Sequence, residues 1–390
     1  MYDFDITPNR LKTNSLKWDV KSEKLPMWVA DMDFAAAPPI YKALEKRLHH
    51  GVFGYAVVPN EWYSSIISWW RRHHNFTIEK EWLQFTTGVV PAISCLVQRL
   101  TNVGDNVAVL TPVYDIFFHS IENFGRHVAE CPLTYSNGKY QLDFTAFEKV
   151  LSHPLTTMLI LCNPHNPTGT VWTKRELLKI GELCKRHGVT VLSDEIHCDL
   201  TLPGVSYTPF ASVNEDCAEM SITCISASKA FNIAGLQSAA VFVPNKHLRE
   251  IVVRGLNSVE VAEPNCFAVE GTVAAFNKGE EWLDELRVYL AANRRTAADF
   301  LKKNLPAVHL VEGKATYLLW IDCSAYTKNA SELCEFLDKQ YNLILSEGNQ
   351  YRGNGNTFVR MNIACSKARL LDGLNRFSKG LKAYKENGKG

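Results

Sequence analysis

Short apolar runs alternate with longer amphipathic ones through the middle of the chain, and that alternation predicts an architecture. Asn106 to Leu110, Met158 to Cys162, Thr190 to Ser193, Ser221 to Ile225 and Ala239 to Val243 are dense in β-branched and aliphatic residues, as strands buried on both faces are. Between the second and third lies Thr173-Lys174-Arg175-Glu176, a capping box in which hydroxyl and carboxylate satisfy each other's backbone N–H groups. It predicts an amphipathic helix running to His187, with Gly188 as a left-handed stop. Strand, helix, strand makes a parallel crossover, so the fold expected is α/β, a mostly parallel sheet flanked by helices.

From about Phe267 to Leu305 follows a long, charged, helix-favouring stretch, and then Tyr317 to Ile321 and Phe358 to Ile363 read as strands among helices. This predicts a separate, smaller α+β unit. Loop signals such as Ala37-Pro38-Pro39 mark the first fifty residues as a segment that packs with it. The organisation expected is therefore an N-terminal segment over 1–50, a large domain over 51–275 and a C-terminal small domain over 276–390. From about Lys379 the chain turns polar, with Lys382, Lys385, Lys389, Gly380, Gly388 and Gly390, and is expected to fray.

Composition narrows the function classes. A chain of 390 residues, 46% hydrophobic and 11% aromatic, can bury a substantial core and is not disordered. Lysine plus arginine number 42 against 41 acidic residues, so a net charge of +1 gives no general reason to bind nucleic acid, a membrane surface or a polyanion. The eleven cysteines, Cys95 to Cys365, contain no C-x-x-C pair and no zinc-like spacing, which fits buried thiols in a reducing cytoplasm and predicts no metal site. The start Met1-Tyr2-Asp3-Phe4-Asp5 is acidic where a signal peptide is basic, and no run approaches the ~18–20 apolar residues of a membrane span. A cytoplasmic, soluble protein is expected.

Ligands of parallel sheets bind beyond the carboxyl ends of the strands, so the polar residues after each apolar run carry the chemistry. Three segments follow strands: Asn163-Pro164-His165-Asn166-Pro167-Thr168-Gly169, Asp194-Glu195-Ile196-His197 and Ser226-Ala227-Ser228-Lys229. A fourth, Thr86-Thr87-Gly88-Val89-Val90, precedes Pro91. Singly each has a structural explanation as a turn, a helix cap, a solvated charge or a helix start. Their combination is far more specific.

In that order, and followed by an arginine in Phe358-Val359-Arg360-Met361-Asn362, these motifs resemble the fold-type I pyridoxal-phosphate enzymes of the aspartate aminotransferase superfamily, over nearly the whole chain. More narrowly, Met27-Trp28-Val29-Ala30-Asp31-Met32-Asp33-Phe34, Asp194-Glu195-Ile196-His197 and Ser228-Lys229-Ala230-Phe231-Asn232-Ile233-Ala234-Gly235-Leu236-Gln237 resemble its MalY/PatB branch, whose members are cystathionine β-lyases. The resemblance implies pyridoxal 5′-phosphate as cofactor, the large domain as its binding domain, and a homodimer with active sites at the subunit interface.

The cofactor's chemistry assigns the expected roles. An imine-forming lysine needs burial and positive neighbours to lower its pKa, and Lys229 is the candidate. A protonated pyridine nitrogen needs a buried carboxylate, and Asp194 fits. The phosphate belongs at a helix start, where Gly88, Val89 and Val90 offer N–H groups and Ser226 adds a hydroxyl. The resemblance implies that Asn166 bonds the ring oxygen, Tyr114 stacks on the ring and Tyr55 reaches the neighbouring subunit's phosphate. It also implies that the planar fork of Arg360 grips the substrate's α-carboxylate, with Ala30 and Asn166 completing the substrate site. Val359 and Met361 point to the opposite strand face, which favours an inward Arg360.

Two positions depart from the aminotransferase pattern. His197 stands where a tyrosine three residues after the aspartate is usual, and Gln237 where a base eight after the lysine is usual. The first exchanges a phenolic hydrogen bond to the ring oxygen for an imidazole one or for none, and a purely structural His197 stays open. The second leaves the phosphate to neutral donors and the neighbouring chain.

The reaction expected is carbon–sulfur β-elimination from cystathionine or a related cysteine S-conjugate, giving thiol, pyruvate and ammonia. Lys229 serves as base, and Tyr55 and Tyr114 are candidates for protonating the leaving sulfur. The alternatives are an aminotransferase sharing the early steps, or a cofactor-binding regulatory protein with little turnover. Either belongs to amino-acid metabolism or its control.

Overall fold

The computed structural model describes residues 2–386. Its larger sheet has seven strands in the order Leu83–Thr86, Ala239–Phe242, Ser221–Ile225, Thr190–Asp194, Thr156–Cys162, Asn106–Thr111 and His127–Pro132. The last five are mutually parallel, and Ala239–Phe242 runs antiparallel to both of its neighbours. All five expected strands are present, and the three central ones are almost wholly buried, as their unbroken apolar runs require.

Helices cover both faces. Lys174–His187 begins with the expected capping box at Thr173 and Glu176 and ends at Gly188, whose φ of 66° is left-handed. The cap contributes about 1 kcal/mol. Buried Leu177, Ile180, Leu183 and Cys184 on the inner face outweigh it, at about 1.5–3 kcal/mol for each large side chain. They join the core with Leu159, Leu161 and Val191 of the sheet, while Val89–Leu100 and Lys246–Ser258 pack on the other face around Val107, Val109 and Ile160.

A second, antiparallel sheet orders His309–Leu310, Leu318–Asp322, Phe358–Asn362 and Ser346–Glu347, flanked by Glu280–Asn304, Ala330–Tyr341 and Lys367–Glu386. Leu25–Pro26 pairs with Leu343–Ile344, which ties the N-terminal segment to this unit. Trp320 and Phe358 stack at 5.1 Å within the core that also holds Leu110 and Tyr140, so the two sheets share a packed junction.

Two sequence expectations need correction and one is refined. Ala37-Pro38-Pro39 is not a loop: Pro38 opens the helix Pro38–His50, which packs against Ala268–Lys278. Proline suits a first helical turn because its missing N–H would be unsatisfied there anyway. The long helical stretch is two helices, Ala268–Lys278 and Glu280–Asn304, broken at Gly279, where a Cβ would lie 2.5 Å from the Phe231 ring. The chain does not fray at Lys379: Lys367–Glu386 stays helical, with Leu381 and Tyr384 buried. Gly380 serves close packing there, since a Cβ would clash with Leu337. Gly388, Lys389 and Gly390 lie outside the described residues.

Candidate active site

A cavity of about 190 Å³ opens at the carboxyl ends of the central strands. Its wall contains Lys229, Asp194, Asn166, His197, Ser226, Tyr114, Ala30 and the helix start Gly88, Val89 and Val90. These come from segments spread over two hundred residues, each placed by a strand that ends just before it. Thr87, Pro91, Cys162, Ile196, Ser228, Ala234, Gln237 and Ser238 complete the wall.

Lys229 follows the strand Ser221–Ile225, and its Nζ donates to the carbonyl of Ala30 at 2.7 Å. Burial and the nearby Arg360 cation lower its pKa to about 8, against the opposing pull of Asp31 and Asp194. At pH 7 about one molecule in ten then carries a neutral amine, where an ordinary lysine would supply about one in 3,000. A nucleophilic amine is thus available at neutral pH.

Asp194 ends its strand and accepts the Ile196 N–H at 3.1 Å. Burial raises its pKa to about 7, with the Glu195 carboxylate adding to the rise and the Ile196 bond and Lys229 opposing it. Burial therefore pushes the carboxyl and the amine alike toward their neutral forms, and a cation brought against Asp194 would find a carboxylate ready to ionise. Glu195 points away from the cavity and accepts from Ser193, Phe210 N–H, Asn163 and Tyr207.

The helix Val89–Leu100 starts at Gly88 without a side-chain cap, which leaves its first N–H groups for an anion. Nearby, Ser226 Oγ donates to Ser238 O at 2.7 Å and accepts the Ser228 N–H at 3.0 Å. Apart from Lys229, no lysine or arginine among the described residues lines the cavity, so an anion at this helix start meets neutral donors and the helix dipole.

His197 is 3% exposed, and its Nδ1 has no hydrogen-bond partner among the described residues. Burial, then the Lys229 and Arg360 cations, lowers its pKa to about 3, so the ring is neutral at working pH. Arg360 is buried. Its Nη1 donates to Asn166 Oδ1 at 3.2 Å, and its Nη2 to Trp28 O at 2.9 Å and Ser346 Oγ at 3.3 Å. Arg360 itself does not border the cavity and reaches it through Asn166, which does. Tyr114 borders the cavity with its phenol kept protonated by burial.

Tyr55 is not brought to the cavity by its own chain. It is fully exposed in the coil between Pro38–His50 and Asn60–His74, beside exposed Val52, Phe53 and Val57. A core role for it is excluded.

Sequence reading passed over Ser228 and Ser238, although Ser228 lay inside the S-x-S-K motif. It also passed over Tyr317, whose phenol donates to Ala30 O at 3.0 Å and which no motif marks. Away from the cavity, His74, Cys198 and Asp199 bring potential metal-ligand atoms within 4.8 Å of one another, a grouping no spacing announced. Asp199 Oδ1 there already takes bonds from His74 Nε2 and Trp69 Nε1, each at 2.9 Å.

Comparison with known proteins agrees with this geometry. A family model described as aminotransferase class I and II matches residues 27–377. Cystathionine beta-lyase PatB of Bacillus subtilis (strain 168) is 44% identical over 97% of this chain and 100% of that protein. Protein MalY of Escherichia coli (strain K12) is 32% identical over 99% of this chain and 100% of that one. Among solved structures, cystalysin from Treponema denticola, described as containing a pyridoxal 5′-phosphate cofactor, matches at 32% identity with a TM-score of 0.95, covering 98% of this chain and 99% of that one.

Proposed function

The chain belongs to the aminotransferase class I and II family, and from that premise we propose that it is a pyridoxal-phosphate-dependent carbon–sulfur β-lyase acting on cystathionine or related cysteine S-conjugates. One observation carries the reading: a cavity that sets a half-buried lysine of lowered pKa, a buried carboxylate with one hydrogen bond among the described residues, and an uncapped helix start on one wall.

These features fit the cofactor. Its phosphate would take the N–H groups of Val89 and Val90 and the hydroxyl of Ser226, turned from Ser238 O. Its pyridine nitrogen would meet Asp194, its ring oxygen Asn166 and the unpartnered ring of His197, and its ring face Tyr114. When bound, pyridoxal phosphate supplies a covalent handle for the substrate's amino group and a sink for charge at its α-carbon.

The protein does the rest. Arg360 binds the α-carboxylate, and Asn166 and Ala30 complete the substrate site. The Lys229 amine removes the α-proton, helped by a pKa near working pH. Asp194 would hold a carboxylate against the pyridine nitrogen of the bound cofactor, favouring the ring's protonated form. Tyr114 delivers a proton to the departing sulfur. Burial of Asp194 and His197 beside the half-buried Lys229 keeps water from these transfers.

The site is completed in a homodimer, with Tyr55 of a second copy reaching the phosphate. The exposed apolar group Val52, Phe53, Tyr55 and Val57 supports this reading. No helix among the described residues is long and apolar enough to cross a membrane. Eleven unpaired cysteines, ten of them buried, support a reducing, cytoplasmic location.

Incubating the purified protein with pyridoxal phosphate and cystathionine tests the function. Homocysteine, pyruvate and ammonia in equal amounts, without an added oxo acid, are the expected products. Product formation that requires an oxo acid would identify an aminotransferase instead, and cofactor binding without turnover a regulatory protein.

A further inference from the structure

The Lys229 amine shares its acceptor. Lys229 Nζ donates to Ala30 O at 2.7 Å and the Tyr317 phenol donates to the same oxygen at 3.0 Å, filling both of its lone pairs. The strap around Ala30 is held at every neighbouring carbonyl. Arg360 donates to Trp28 O at 2.9 Å, Asn362 Nδ2 to Val29 O and Asp31 O at 2.6 Å each, and Asn232 Nδ2 to Met32 O at 3.1 Å.

Tyr317 is delivered to this point by an unusual backbone. Thr316, just before it, has φ +68°, a conformation rare for a β-branched residue and maintained only where the surroundings impose it. The surroundings here are explicit: Thr316 N–H donates to Leu200 O at 2.9 Å, and the N–H groups of Lys314 and Ala315 donate to Gly169 O at 2.7 and 3.1 Å. The result is a phenol in a residue 1% exposed, fixed on a carbonyl that also holds the reactive amine.

We infer that Tyr317 is a positioning residue for the Lys229 amine, acting through the carbonyl of Ala30. The inference rests on the reading of Lys229 as the base. When the amine takes the substrate's α-proton, the C–H electron pair stays on the substrate side and the nitrogen becomes a buried ammonium. Ala30 O is the protein atom to which that nitrogen is hydrogen-bonded among the described residues. With the phenol removed, Ala30 O keeps the amine as its one donor while the strap stays held at its other carbonyls, and the amine's distance to the α-carbon is less closely set. A misplacement of about 1 Å in such a geometry costs about 10²-fold in rate.

Tyr317→Phe removes one oxygen and keeps the ring. With the holoenzyme in D₂O and L-alanine, which has an α-proton and no β leaving group, α-proton exchange followed by NMR reads the amine's proton transfer apart from C–S cleavage. Exchange is expected to fall at least about 10-fold. The cofactor dissociation constant and the thermal unfolding midpoint are expected to stay near wild type. The rate at which cofactor-free protein captures pyridoxal phosphate, which depends on the same amine, is expected to fall in parallel.

Exchange at the wild-type rate overturns the inference. So does a variant that folds but no longer binds cofactor, since Tyr317 would then be a cofactor-binding residue, or one that fails to fold, since its role would be structural. A wild-type protein that develops no visible band with pyridoxal phosphate refutes the reading of Lys229 itself, so the two failures are told apart.

Discussion

Arg360 Nη1 donates to Asn166 Oδ1 at 3.2 Å, a contact across 194 positions that joins the smaller sheet to the loop beyond the middle of the larger one. The guanidinium is thus held in place by the protein, and under the proposed function it is oriented before the substrate's carboxylate arrives.

Arg360→Lys keeps the charge and loses the fork. Hydrogen bonds to charged groups contribute about 1.5–3 kcal/mol each, so kcat/KM for cystathionine is expected to fall about 10²-fold, chiefly through KM. The cofactor's visible band should persist. Steady-state kinetics beside an absorbance titration checks both; unchanged KM would remove Arg360 from carboxylate binding.

Asp194 makes a prediction about stability. Its folded pKa of about 7 lies above the 3.8 of an ordinary aspartate, so between those values the cofactor-free fold holds a proton that the unfolded chain has released. Stability therefore falls as pH rises through this window, by on the order of a few kcal/mol, and the loss is complete above pH 7. Asp194→Asn removes the effect. The cofactor-free variant is expected to unfold at a higher temperature than wild type at pH 8, with the gap closing toward pH 4, while the loaded variant loses turnover.

The pH dependence of cofactor capture follows from Lys229. Only the neutral amine attacks an aldehyde, so the capture rate of cofactor-free protein is expected to rise with pH and level off with a midpoint near 8. Stopped-flow absorbance measures it. A midpoint near 10.5 would mean that burial does not depress this amine.

Tyr55 is tested by hybrids. Protein that mixes Lys229→Ala subunits with Tyr55→Ala subunits contains dimers in which one site has both native residues, one from each chain. Such mixtures are expected to be several-fold more active than either variant alone. Activity no greater than that of the two parents would show that Tyr55 acts in no neighbouring site.

Much of this was legible in the sequence because the chemistry sits at strand ends. Unbroken β-branched runs report burial on both faces, and Asn166, Asp194 and Lys229 follow such runs within a few residues. What was not legible depends on distant contacts. Tyr317 opens an apolar run like any core aromatic, and its hydroxyl acquires a role only through a strap 287 positions away. Local sequence does not tell the roles of Gly279 and Gly380 apart. One breaks a helix beside Phe231 and the other permits close packing on Leu337, a distinction set by neighbours that local sequence does not name. Pro38 carries the same ambiguity, since proline opens helices as readily as it marks turns.

The covalent role of Lys229 is the claim on which the others stand. Absorbance spectra of wild type and Lys229→Ala, each saturated with pyridoxal phosphate and freed of excess, test it most directly. A visible band of bound cofactor in wild type that is absent from the variant is the result expected. The same band in both proteins would contradict the account.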